Sequence, residues 1–242
     1  MKKVLLIISI FFALSFSLFS SEIVIPEEDE PKKEITILQP DEDIANENLT
    51  IENGTAQFFW DDNIIKAEGP VKKGQKNGKW KIYFENENAQ IVKAEGSYVN
   101  DEKEGQWIIY FPDGKVRVKS LYRKGKLHGL YTEYQENRIP LYEIHFKNDL
   151  FDGVFREYYP DGNPKEISMY SHGKKNGQEN LFYPNGKRKS IGQWTNDKKN
   201  GLWKFFYETG RRKYEGYYKN SQRSGKWKIF DENEKLIGTE EF

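Results

Sequence analysis

The sequence contains no cysteine. Disulfide bonds, thiolate nucleophiles, cysteine-ligated metals and anchoring through a lipid-modified cysteine are therefore excluded. Histidine is also scarce: the three histidines, His128, His145 and His172, differ in their local setting and do not stand at metal-ligand spacing. No phosphate-binding glycine loop and no nucleophile-elbow serine occurs. These absences predict a protein that is not an enzyme and has no metal site or cofactor.

What the sequence has instead is one short unit repeated along most of its length. Register glycines recur every 24 residues, except that one step, from Gly78 to Gly105, takes 27. A fixed period of this length is typical of repeat architectures in which each unit packs on its neighbours. Eight copies therefore fill residues 54–242 as one repeat domain, with the register glycines Gly54, Gly78, Gly105, Gly129, Gly153, Gly177, Gly201 and Gly225.

Each copy is predicted to form a β-hairpin. Counted from the register glycine as position zero, position two is aromatic in six copies, position five in all eight, and position seventeen in nearly all. Turn signals such as Pro112-Asp113-Gly114 separate two runs that are too short for helices. We therefore predict an all-β fold, an elongated single-layer antiparallel sheet of about eight stacked hairpins with aromatic rows on both faces. The chain departs from the unit at Glu179, in position two, and at Arg138 and Glu234, where a turn glycine is expected.

The unit resembles the MORN repeat. The residues that carry the resemblance are the pattern Gly-x-Trp-x-x-Tyr-Phe-Pro-Asp-Gly-Lys, which begins at Gly105, and the linker Arg123-Lys124-Gly125-Lys126 that follows it. The unit is most similar to the bacterial variant of that repeat, found in proteins often labelled YwqK-family antitoxins. The resemblance implies a twisted single-layer sheet of successive hairpins and a non-enzymatic role.

The amino-terminal quarter has a different composition. Residues 1–20 combine Lys2 and Lys3 with an apolar stretch and small residues, which predicts a secretion signal peptide and an exported protein. Residues 21–53 carry eleven acidic residues and no aromatic, which predicts an acidic disordered linker. The repeats are basic by contrast, with 34 basic and 27 acidic residues.

These features favour an exported module that binds another protein or a component of a bacterial cell envelope. Two alternatives stay open: a cytoplasmic, antitoxin-like partner of a toxin, and binding of cell-wall glycan or anionic lipid headgroups at a membrane surface. Nucleic acid is not expected as a partner, because the basic excess is modest and export would separate the two. The candidate interaction residues are aromatic residues at position two and lysines near the inter-repeat turns: Trp80, Trp107, Tyr131, Phe155, Trp203, Trp227, Lys174, Lys175, Lys198 and Lys199.

Overall fold

The computed structural model describes residues 35–44, 47, 49–61, 64–86 and 90–242. The predicted signal peptide and residues 21–34 of the predicted linker lie outside these described residues. A single 3-10 turn, Glu42–Ile44, precedes the strands. Over the described part of the chain, no helix has the length and apolarity needed to cross a membrane.

The strands are β1 (Asn53–Asp61), β2 (Ile64–Lys72), β3 (Gln75–Lys76), β4 (Gly78–Tyr83), β5 (Val92–Val99), β6 (Glu102–Tyr110), β7 (Val116–Arg123), β8 (Lys126–Tyr134), β9 (Pro140–Lys147), β10 (Leu150–Tyr158), β11 (Pro164–Ser171), β12 (Lys174–Phe182), β13 (Arg188–Thr195), β14 (Lys198–Phe206), β15 (Arg212–Lys219), β16 (Gln222–Phe230) and β17 (Leu236–Glu241).

These strands form one 17-stranded sheet. Each strand pairs antiparallel with the next one along the chain, and β3 and β4 together form one interrupted strand beside β2. Every register glycine has a positive φ, and from Gly105 onward the pairing with the preceding copy shifts register at these glycines, as between Phe151 and Phe155. The predicted all-β fold, an open antiparallel sheet of successive hairpins, is confirmed.

The hairpin turns explain two departures from the repeat pattern. Gly114 has a φ of 81°, and its N–H donates to the carbonyl of Phe111 at 2.9 Å. Arg138 holds the same place in the next copy with a φ of 68°, and its N–H donates to Gln135 at 2.9 Å. Glu234 has a φ of 61°. The turn is therefore kept at both departures, with a non-glycine residue in the left-handed region.

Replacing Arg138 with glycine is expected to stabilise the protein. A left-handed residue that carries a Cβ costs roughly 1–2 kcal/mol, and the added freedom of glycine in the unfolded chain offsets part of that gain. We therefore expect Arg138→Gly to raise the free energy of unfolding by about 0.5–1 kcal/mol. Thermal denaturation measures the change, with Gly114→Ala as the reverse exchange, expected to lower stability. Equal melting temperatures for the parent and both variants would contradict the left-handed backbone conformation of residues 138 and 114.

One face of the sheet carries the core, and we call it the aromatic face. Side chains alternate along a strand, so positions two, four, thirteen, fifteen and seventeen of each copy point to this same side. Its buried rings pack edge-to-face along the array, as Tyr98 does on Trp107 with centroids 5.0 Å apart. The rings of positions two and seventeen are Trp80, Tyr98, Trp107, Tyr122, Tyr131, Phe146, Phe155, Tyr170, Trp194, Trp203, Tyr218, Trp227 and Phe242.

The opposite face carries the tyrosines of position five. The hydroxyls of Tyr110 and Tyr158 donate to Glu95 at 2.9 Å and to Glu143 at 2.8 Å, each carboxylate belonging to the preceding copy. Partial burial, together with the neighbouring carboxylate, raises the pKa of Tyr110 to about 12. Aromatic residues therefore line both faces, as predicted, but on this face they also link adjacent copies through hydrogen bonds.

Candidate functional site

The four tryptophans of position two are core residues. Trp80, Trp107, Trp203 and Trp227 are at most 1% exposed. Each indole N–H donates to a backbone carbonyl ten residues earlier, with distances of 3.0–3.2 Å to Pro70, Ser97, Gln193 and Tyr217. A buried indole N–H needs such a partner. The tryptophans are therefore fixed by both packing and hydrogen bonding.

Each of these indoles lies against a glycine of the preceding copy. A Cβ atom built on Gly192 would stand 2.0 Å from the ring of Trp203, and one on Gly216 would stand 2.2 Å from that of Trp227. Eleven residues separate glycine from tryptophan in all four cases, which are Gly69, Gly96, Gly192 and Gly216 with their tryptophans. Where position two holds the smaller Phe155, the equivalent residue is Ile144. A tryptophan at position two therefore faces a glycine, and the smaller phenylalanine faces a larger side chain, so the two residues together fill a similar volume.

Substituting alanine for Gly216 is expected to destabilise the array. The added methyl group overlaps the ring of Trp227, and overpacking of this kind costs about 1–3 kcal/mol. The double variant Gly216→Ala/Trp227→Phe should recover part of the loss, because the smaller ring leaves room for the methyl group. Chemical denaturation compares the three proteins. A Gly216→Ala variant as stable as the parent would show that the close approach is not a constraint.

The aromatic candidates of position two are all buried. Tyr131 and Phe155, like the tryptophans, are at most 2% exposed. The hypothesis that these six rings contact a partner directly is therefore not supported, because they offer almost no surface. They form the buried layer of the aromatic face, over which its cations lie.

The four candidate lysines fall into two groups. Lys174 and Lys198 are exposed at the inter-repeat turns, whereas Lys175 and Lys199 lie over the aromatic face. The amino group of Lys199 is 5.3 Å from the ring centroid of Trp203 and 5.3 Å from that of Tyr218. At such distances the ring quadrupole attracts the cation. The two neighbouring lysines of each pair therefore have different surroundings.

The position of Lys199 in the unit is a recurring cation site. Two residues before the register glycine, five copies carry a cation over the aromatic rings: Lys76, Lys103, Lys175, Lys199 and Arg223. The two intervening copies have Leu127 and Phe151 there. Sequence analysis singled out only two of these cations, although the fixed spacing to the register glycine was a signal for all of them.

The cation of the sixth copy explains the polar residue at position two. Lys175 forms an ion pair with Glu179, whose side chain is 4% exposed, and a second one with Glu166 at 2.8 Å. Burial acts to lower the pKa of Lys175, but the two carboxylates outweigh it and raise that pKa. Glu179 is therefore held in the core by a matched cation.

An acidic segment lies across the aromatic face of the first copies; we call residues 35–44 the acidic strap. The carboxylate of Asp41 accepts hydrogen bonds from the Tyr98 hydroxyl at 2.7 Å and from the Lys103 amino group at 2.8 Å. The side-chain oxygen of Gln39 accepts from Lys103 and from Tyr122, both at 3.1 Å. The strap is thus bound through the cations and tyrosine hydroxyls of the face.

Apolar contacts accompany these polar ones. Ile44 is fully buried, and Ile37 and Leu38 pack on the core. The amino group of Lys76 lies 3.4 Å from the carbonyl of Ile44, and burial lowers the pKa of Lys76 although the carboxylate of Asp41 opposes the shift. Residues 35–44 are the part of the predicted linker, residues 21–53, whose contacts with the sheet the structure describes. A segment with few apolar residues orders here because the sheet supplies the rings and cations that it lacks.

Histidine and carboxylate side chains are the described residues that a metal site would use. Among them, no group of histidine, aspartate and glutamate side chains could hold a metal ion. The three histidines do not come together: the Nδ1 atom of His145 lies 3.1 Å from the carbonyl of Val154, while His128 and His172 are near other turns. The aromatic face with its cations is the most developed candidate site.

Comparison with known proteins identifies the repeat. The family model of the MORN repeat variant matches four segments, residues 103–124, 151–172, 175–196 and 199–220. Each segment begins at the cation position of the unit, two residues before its register glycine, and covers one hairpin of the sheet. A search of curated proteins gave no match. MORN repeats are generally non-enzymatic interaction or binding modules, and the four matches, all in the register of the structural repeat, show that these segments are similar to the MORN repeat variant.

Proposed function

We propose that this protein is an exported, non-enzymatic interaction module of a bacterial cell envelope, and that it binds a partner protein on its aromatic face. One observation carries the proposal: the face already holds a peptide segment of the chain itself. Asp41 is bound there by a hydroxyl and an amino group, and Ile44 is buried beside it. Charge-assisted hydrogen bonds and apolar burial are the usual means of holding an extended peptide.

The burial of the rings refines how a partner would be bound. Wide exposed aromatic platforms, which glycan binding would use, are not offered by position two. The groups of this face that keep partial exposure are the cations Lys103, Lys175 and Arg223 and the half-buried rings such as Tyr170 and Trp194. This set favours a protein segment that combines carboxylates with aliphatic side chains.

Site-specific photo-crosslinking in cells tests the binding face. A photoreactive phenylalanine analogue would replace Tyr170 or Trp194 on the aromatic face, and Leu202 or Tyr217 on the opposite face as controls, since both are exposed. We expect one discrete protein adduct from the first two positions and none from the controls. Adducts from both faces alike, or from neither, would contradict the proposal.

Cell fractionation tests the compartment. The sequence of residues 1–20 supports export, and we expect a processed chain in the envelope or secreted fraction. An unprocessed chain confined to the cytoplasm would overturn the envelope role and favour the antitoxin-like alternative. Recovery of the purified chain with lipid vesicles, when no other protein is present, would favour the alternative of lipid headgroup binding through turn lysines such as Lys174 and Lys198.

A further inference from the structure

The acidic strap crosses the strands of the sheet and does not pair with them. Its residues, 35–44, belong to none of the described strands. Its hydrogen-bond partners follow one another across the aromatic face, from β8 to β3, in the order Tyr131, Tyr122, Lys103, Tyr98 and Lys76. We call these residues, together with Lys93, the strap site. The strap is therefore held as a peptide ligand would be, by side chains of the sheet.

The strap and the strap site match each other in charge. The carboxylate of Asp41 forms an ion pair with Lys103 at 2.8 Å, and that of Asp43 forms one with Lys93 at 2.5 Å. Both lysine side chains are partly buried, which strengthens such charge-assisted hydrogen bonds. Where the strap becomes apolar, at Ile37 and Leu38, it reaches the fourth copy, whose cation position holds a leucine instead. The site therefore selects a segment that is acidic at one end and aliphatic at the other.

Release of the strap leaves the strands of the sheet paired. The hydrogen-bonded ladder joins the strands from Asn53 onward, so the strap contributes no rung to it. Segments that are held by side-chain contacts open locally at a lower free energy than the ladder itself. Opening uncovers the amino group of Lys103 and the hydroxyls of Tyr98 and Tyr122, all of which the strap occupies when it is bound. The strap can therefore leave and return while the array stays folded.

We propose that the strap is a self-ligand that occupies the binding site of the partner protein, and that an acidic and aliphatic segment of the partner displaces it. A carboxylate of the partner then takes the place of Asp41 and accepts hydrogen bonds from Tyr98 and Lys103. Because the strap is tethered, it competes at an effective concentration on the order of millimolar, and free segments bind weakly until it is released. This inference rests on the proposed function and adds the site of the partner and its regulation.

Competition by a labelled peptide tests the displacement. The peptide would have the sequence of residues 35–44, Ile-Thr-Ile-Leu-Gln-Pro-Asp-Glu-Asp-Ile, and fluorescence anisotropy would follow its binding to the full chain. The substitution Asp41→Asn in the full chain weakens its own strap and leaves the strap site unchanged. We expect the peptide to bind this variant at least about 10-fold more tightly than the parent, because the competing strap has lost a charge-assisted hydrogen bond. A second peptide, with asparagine in place of its first aspartate, should bind the variant about 10-fold more weakly.

Two further variants locate the binding. Glu136→Gln removes the same charge as Asp41→Asn but at an exposed hairpin tip, and it should keep the peptide affinity within about twofold of that of the parent. Adding Lys103→Gln to Asp41→Asn should weaken the peptide affinity by about 10-fold or more, because the strap site then lacks the cation that the peptide carboxylate needs. Circular dichroism would confirm that each variant keeps its strands.

Four results would overturn the proposal. The first three are equal peptide affinity of the parent and Asp41→Asn, equal binding of the two peptides, and binding that Lys103→Gln leaves intact. The fourth is a dimer of the parent, detected by light scattering, that Asp41→Asn abolishes. This last result would assign the strap site to the strap of a second copy of the chain.

Failure of this proposal can be told apart from failure of the proposed function. The crosslinking positions Tyr170 and Trp194 lie on β11 and β13, outside the strands β3 to β8 that the hydrogen bonds of the strap reach. Crosslinking there therefore reports a partner on the aromatic face whether or not the strap moves. A partner captured at these positions, together with a failed peptide competition, leaves the proposed function standing and removes the strap as its regulator.

Discussion

Replacing Trp107 with alanine is expected to cost about 3–5 kcal/mol of stability, as large-to-small changes at buried aromatic residues do. The indole is fully buried, contacts the ring of Tyr98 and donates its N–H to the carbonyl of Ser97 at 3.1 Å. Its loss leaves a cavity and an unpaired carbonyl. Because each copy packs only on its neighbours, the damage should be concentrated in the copies next to residue 107.

Chemical denaturation and hydrogen exchange measure this effect. The midpoint should fall, and exchange should accelerate most in β5, β6 and β7. Tyr217→Ala is the matched control, because Tyr217 is 56% exposed and such surface changes stay within about 0.5 kcal/mol. Equal stability of the two variants would contradict the description of the tryptophans as core. Uniform loss of protection along the whole array would instead show that the sheet unfolds as one unit.

Substituting methionine for Lys175 is expected to cost about 3 kcal/mol or more, because removing one partner of a buried ion pair leaves a charge uncompensated. The carboxylates of Glu179 and Glu166 both depend on this amino group, and the Glu179 side chain is 4% exposed. The exchange keeps the length of the side chain and its packing on Trp194. The predicted loss is therefore electrostatic.

Two further variants isolate the charge. Lys174→Met alters the exposed neighbour and should leave stability within about 0.5 kcal/mol of the parent. Lys175→Met/Glu179→Gln removes the buried negative charge as well and should regain part of the loss. If the single Lys175→Met variant is as stable as the parent, the ion pair does not secure Glu179 in the core.

Much of the fold is predictable from the sequence because the repeat constrains it so strongly. The period of 24 residues gives the copy number, and short aromatic runs around Pro-Asp-Gly turns give hairpins. The turn at Arg138 forms although glycine is absent, since the neighbouring strands determine its geometry. The repeat period therefore predicts the hairpin turn even where one copy lacks the usual glycine.

The site was less predictable, because the exposure of a side chain on this crowded face does not follow from strand alternation alone. Trp80 and Trp107 could be recognised as aromatic rows, yet their burial depends on glycines eleven residues earlier, on ring stacking and on the strap. The cation row at Lys76 and Lys103 becomes meaningful only when the strands bring it over those rings. The order of the acidic strap depends on partners far away in the sequence.

The central claim is that the aromatic face holds an acidic peptide segment, and thiol labelling of a single cysteine tests it most directly. The chain has no cysteine of its own, so Ile44→Cys would be the sole reactive site. Ile44, the last residue of the acidic strap, is fully buried, whereas Val99, the position of the control cysteine, is 48% exposed. We predict that Ile44→Cys labels at least about 10-fold more slowly than Val99→Cys in buffer, since reaction requires local opening, and equally fast in denaturant. Adding Lys103→Gln should accelerate labelling at position 44. Equal labelling rates of the two cysteines in buffer would contradict the account.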